Sequence, residues 1–93
     1  MAVKVRIPTI LRTYTDGASE LAVDPVEPTL ASLLDALEGA APGIRARVLD
    51  DAGALRRFVN VYVDDEDVRF TDGLATPVKD GAQVSIIPAV AGG

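Results

Sequence analysis

The chain has 93 residues, 48% hydrophobic and 25% charged, with a formal net charge of −5 and neither cysteine nor histidine. That is one domain of ordinary globular composition, too short for two cores and too apolar for a disordered chain. It excludes a disulfide scaffold, a thiolate metal site, a thiol nucleophile and the usual general base near neutral pH. The acidic balance makes nucleic acid and anionic membrane poor partners.

Val3, Val5 and Ile7 alternate with Lys4 and Arg6, which predicts a strand with one buried face, closed by Pro8. Residues 9–18 carry Thr9, Thr13, Thr15, Asp16 and Gly17 and read as turn chemistry. Ser19 to Val23 offers a second strand, so the first two strands form a hairpin. Asp24-Pro25-Val26-Glu27-Pro28 breaks regular structure, and Thr29 then stands as an N-cap. Leu30, Leu33, Leu34 and Leu37 share one helical face, and Gly39 with Pro42-Gly43 stops that helix near residue 40.

Ile44 to Leu49 predicts a further short helical turn, followed by a loop over Asp50-Asp51-Ala52-Gly53. Phe58 to Val63 is the strongest strand, with Val59, Val61 and Val63 on one face and Phe58, Asn60 and Tyr62 on the other. Asp64-Asp65-Glu66 reads as a turn and Val68 to Phe70 as a brief return strand. Turns at Asp72-Gly73 and Asp80-Gly81 lead to a last strand, Gln83 to Ile87, ended by Pro88. The predicted class is α+β: a mixed sheet wrapped over one main helix, as in the β-grasp fold. Residues 1–87 form the body and residues 88–93 a tail.

No apolar run approaches the roughly 18 residues that span a bilayer. The short, alternating N-terminus does not read as a signal peptide. A cytoplasmic protein is expected, with no nucleic acid and no membrane among its partners.

The tail is the one stretch that folding does not explain. Pro88-Ala89-Val90-Ala91-Gly92-Gly93 has little to bury. Fully extended, six residues reach roughly 20 Å, enough to enter a deep site on another protein. Glycine at the last two positions removes side chains that would clash in a narrow channel and allows any backbone turn.

Residues 61–93 carry a Lys79-Asp80-Gly81 turn, a strand ending Ile87-Pro88 and a Pro-x-Val-x-Gly-Gly terminus. With these motifs the chain resembles the ThiS/MoaD family of ubiquitin-like sulfur carriers over nearly its whole length. The N-terminal stretch VKVRIPTILRTYTDG resembles one branch, the CysO-type carriers of a cysteine-biosynthesis route. The resemblance implies a carrier rather than an enzyme, with no cofactor of its own. An E1-like enzyme using ATP and Mg would adenylate the carboxylate of Gly93, and a sulfur donor would displace AMP to leave a thiocarboxylate. A partner cysteine synthase would supply pyridoxal phosphate (PLP) and the aminoacrylate that the sulfur attacks, and a metallopeptidase would release the product. By the same resemblance Gly93 bears the sulfur, Gly92 threads the channel, and Pro88, Ala89, Val90 and Ala91 fill the partner's groove beside Ile87. The small subunit of molybdopterin synthase, a thiamine-pathway carrier and a ubiquitin-like protein modifier remain alternatives.

Other residues are weighed on their own chemistry. Phe58, Tyr62 and Ile87, with Phe70 as a further candidate, offer an exposed apolar patch for a partner; alternatively Phe58 or Phe70 simply caps the core edge. Arg56 and Arg57, with Lys4, Arg6, Arg12 and Arg69, either pair with an acidic partner surface or keep the surface soluble. Asp64, Asp65, Glu66 and Asp67 lack EF-hand spacing and read as a solvated turn, with no metal site. Lys79 is a weak nucleophile candidate or an acceptor for conjugation. No hydroxyl has a histidine to activate it, so no catalytic residue is expected inside the body.

Overall fold

The structure, a computed structural model, describes residues 2–88. β1 (Val3–Arg6) and β2 (Glu20–Val23) form an antiparallel hairpin. Then come α1 (Leu30–Ala40), α2 (Arg45–Val48), β3 (Val59–Val63), β4 (Glu66–Asp67) and β5 (Gln83–Pro88). The strands make one mixed sheet in the order β2-β1-β5-β3-β4. β5 lies in the middle, parallel to β1 and antiparallel to β3. Parallel strands need a crossover connection, and the stretch holding α1 supplies it. This is the β-grasp arrangement that the patterning predicts.

The alternating residues sort as expected. Val3 and Val5 of β1, Val59, Val61 and Val63 of β3, and Val84 and Ile86 of β5 turn inward. They meet Leu30, Leu33, Leu34 and Leu37, the whole apolar stripe of α1. Ile44, Val48, Val68 and Val78 complete a single core. Thr29 caps α1, its hydroxyl accepting the Ser32 N–H at 3.3 Å.

The far end of α1 is closed by a side chain rather than by glycine alone. Glu38 accepts the Gly43 N–H and the Arg45 N–H, each at 2.9 Å. Those two bonds favour the charged carboxylate, and Arg45 adds a smaller pull, so the Glu38 pKa lies below its ordinary value of 4.5. A carboxylate whose folded pKa is depressed stabilises the fold above its unfolded pKa and loses that contribution as pH falls. Glu38→Gln is therefore expected to lower the melting temperature at pH 7, with the gap to wild type closing as the pH drops below the ordinary carboxylate range. A gap unchanged at low pH would count against this account. Gly43 itself has φ +98°, and a Cβ there would meet the Tyr14 ring at 2.9 Å. Both backbone angle and space require glycine.

Four local readings are corrected. Residues 9–18 are not merely turn: Thr9–Tyr14 is a 3-10 helix, with Leu11 buried beneath it. Val68–Phe70 is a 3-10 helix, not a return strand. The return strand is β4, because Asp64 and Asp65 both take left-handed angles and close a two-residue hairpin. β3 begins at Val59 and leaves Phe58 outside it. Pro88 does not end β5 from outside but is its last residue, paired with Val59. A proline at the final position gives up one donor only, which a strand end tolerates.

Candidate functional site

The central strand β5 fixes where the end of the body lies. It carries Ile87 and Pro88 to one edge of the molecule, between the last residue of β1 and the first of β3. Ala89, Val90, Ala91, Gly92 and Gly93 lie outside the described residues. Beside the strand end is an open groove of about 430 Å³, lined by Arg6, Ile7, Pro8, Thr9, Arg12 and the stretch from Ser85 to Pro88.

The groove's far wall depends on the 3-10 helix that turn residues alone did not announce. Tyr14, at that helix's last position, accepts a hydrogen bond from Arg47 Nε at 2.7 Å, and the guanidinium sits 5.8 Å from the ring centre. Thr15 is buried, its hydroxyl donating to the Ala18 carbonyl at 2.8 Å. The helix is thus tied to α2 and to its own loop. Arg12 Nε donates to the Ile7 carbonyl at 3.1 Å, which sets the guanidinium at the groove. Leu11, buried beside an exposed Ile10 and a half-buried Arg12, is the sequence signal for this element, but one buried apolar residue has no periodicity to read.

The open face of the sheet carries part of the expected apolar patch. Ile87 is 46% exposed and Phe58 52% exposed. Asn60 of β3 lies opposite Ile87, and Val59 opposite Pro88, so Phe58 stands just beyond the pairing at the strand exit. Tyr62 pairs with Ser85, farther back along the sheet, and is half-buried. Phe70 is 88% exposed on its 3-10 helix and does not cap the core. Phe58 and Ile87 therefore sit together at the exit, while Tyr62 lies behind them.

Charge is segregated along β5. At its start, Asp64 Oδ1 accepts the Gln83 N–H at 3.0 Å, and Asp80 Oδ1 accepts the Ala2 N–H at 3.0 Å. Asp65 and Glu66 occupy the neighbouring hairpin, and Lys79 is exposed next to Asp80. No group of three or more metal-ligating side chains converges among the described residues. At the other end stand arginines. Arg12 lines the groove and Arg56 and Arg57 precede β3, while Arg6, opposite Ser85, lines both that groove and a second hollow shared with Asp64 and Asp65. Arg69 reaches back to that same segment, donating to the Asn60 side chain and, at 2.6 Å, to the Arg56 carbonyl.

No helix among the described residues is long and apolar enough to cross a membrane.

Comparison with known proteins places this geometry. The sulfur carrier protein CysO of Mycobacterium tuberculosis is 50% identical over 95 residues, spanning the whole of both chains. A crystal structure of the BexX/CysO complex from Amycolatopsis orientalis contains a chain that superposes with a TM-score of 0.89. That chain is 49% identical, and the match covers 99% of this chain and 100% of that one. The small archaeal modifier protein 3 of Haloferax volcanii is 38% identical over 65 residues, 70% of each chain. The profile of the ThiS family matches residues 5–93. With that match running from β1 through β5, and with the β-grasp sheet delivering its central strand to one open edge, the chain belongs to the ThiS family.

Proposed function

We propose that this chain is a sulfur carrier whose terminal Gly93 is charged by another protein. The observation that carries the reading is the position of β5, a central strand held on both sides that brings Ile87-Pro88 to an open edge immediately before the Gly-Gly sequence. Full-length likeness to the mycobacterial sulfur carrier supports it.

The chemistry runs in two displacements. A carboxylate is a poor electrophile, so a carboxylate oxygen of Gly93 first attacks the α-phosphorus of ATP and pyrophosphate leaves. A sulfide donor then attacks the acyl carbon of the mixed anhydride and AMP leaves, giving the thiocarboxylate. An E1-like adenylating enzyme with ATP and Mg does this work; the body contributes position and recognition. The acceptor chemistry we assign is cysteine formation on a PLP-dependent cysteine synthase in the cytoplasm, with a metallopeptidase releasing the product. The carrier itself is a co-substrate.

Intact mass spectrometry of the chain purified from its own host tests the assignment. The expected species is heavier than the free acid by the difference between one sulfur and one oxygen. The Haloferax modifier's likeness favours a second reading, in which Gly93 is joined to lysines of other proteins; branched conjugates of higher mass would establish that instead. A chain found only as the free acid, with neither species, would overturn both.

A further inference from the structure

We infer that the arginines at the exit of β5 form a docking collar for an acidic surface on the protein that adenylates the tail. The inference rests on the carrier reading and adds the chemistry of the partner's face.

The chain carries 14 Asp and Glu against 9 Lys and Arg, so a cation here has many potential partners. Yet among the described residues Arg6, Arg12, Arg56, Arg57 and Arg69 make no ion pair, and Arg45 with Asp35 is the pair present. Glu20 lies directly across from Arg6 in the β1–β2 ladder and still does not bridge it. Instead, three of the guanidiniums are set by neutral carbonyls: Arg12 on Ile7, Arg56 on Ala46 at 2.9 Å, and Arg69 on Arg56. Such bonds position the cation and leave its charge uncompensated.

The arrangement follows the anatomy of a protein interface. Phe58, Ile87 and Pro88 supply an apolar centre and the arginines a charged rim. Arginine is the residue suited to paired hydrogen bonds with carboxylates. Any protein that handles the residues after Pro88 must approach this edge, and the adenylating enzyme is the one required whatever the later sulfur acceptor.

The test is steady-state adenylation of the full chain by the E1-like enzyme of the same host, read as pyrophosphate release. Variants R6E/R57E and R12E are compared with E27Q, a neutralised carboxylate beside the start of α1 and outside the groove. Rim charges act mainly on association. We expect the double variant to raise KM about 10- to 100-fold with kcat within about twofold, and to flatten the rise of the wild-type KM with salt. E27Q leaves KM unchanged. Arg6 and Arg57 are exposed, so R6E/R57E keeps the test intact if R12E disturbs its loop, and thermal melting checks each fold. An adenylated wild type whose KM is unmoved by R6E/R57E overturns the collar and leaves the carrier reading standing. A wild type that releases no pyrophosphate removes both. Binding of a fluorescent single-stranded RNA that the arginine variants abolish would assign the edge to nucleic acid and overturn the inference.

Discussion

Deleting Gly93, or adding one residue after it, abolishes sulfur transfer while the melting temperature stays within about 1 °C of wild type. The two halves of this result have different causes. In the chemistry proposed here the reacting carboxylate belongs to the last residue, so deletion moves it back by one residue, roughly 3.5 Å. A displacement of about 1 Å can already cost on the order of 10²-fold in rate where alignment with the attacked atom matters. An added residue buries the carboxyl in a peptide bond and presents a side chain where glycine left none. The body is expected to register neither change. Its core closes with Val84 and Ile86, and the β3–β5 ladder is complete by Pro88. Thiocarboxylate formation by the adenylating enzyme, followed by mass, and a thermal melt of the same samples check both halves. A deletion variant that still transfers sulfur would refute the assignment of chemistry to Gly93.

Leu33→Ala has the opposite signature. Leu33 is fully buried on α1, where the helix meets the sheet. Truncation removes transfer free energy and leaves a cavity that the surrounding valines and leucines fill only in part, at about 2–5 kcal/mol. Small domains are stable by roughly 5–15 kcal/mol in total, so the expected fall in melting temperature is on the order of 10 °C or more. Urea unfolding should show a lower midpoint at unchanged slope. The molecules that remain folded should be adenylated normally, since Leu33 touches neither the groove nor the exit. Val26→Ala serves as the control: Val26 is 93% exposed and its truncation should be silent. A Leu33→Ala chain as stable as wild type would show that α1 does not hold the sheet as described.

Most of the scaffold was legible because its signals are periodic. The alternation in β1 and β3 and the four-leucine stripe of α1 each repeat often enough to fix element and buried face together. What was not legible lacks repetition. The 3-10 helix Thr9–Tyr14 buries Leu11 alone. β4 is two acidic residues, poor strand formers, and is specified by the left-handed Asp64-Asp65 turn before it rather than by its own composition. By composition the return strand instead falls on Val68–Phe70, the next stretch with apolar residues. At the candidate site, the order Ile87-Pro88 then Gly-Gly was plain in the sequence. The grouping of Arg12 and Arg69 with Phe58 was not, because it depends on sheet order and on hydrogen bonds between residues far apart in the chain.

The collar is made of one kind of cation. Lys4 and Lys79 are the chain's two lysines; Lys4 pairs with Gln83 and Lys79 precedes the turn into β5, both at the end of that strand away from Pro88. A guanidinium keeps its proton at any physiological pH and offers no lone pair, whereas an amine beside an acyl phosphate anhydride would open it and form an amide. On the proposed carrier chemistry, an all-arginine edge would give electrostatic attraction without aminolysis, so that a charged carrier would be spent on sulfur rather than on acylating its own docking surface.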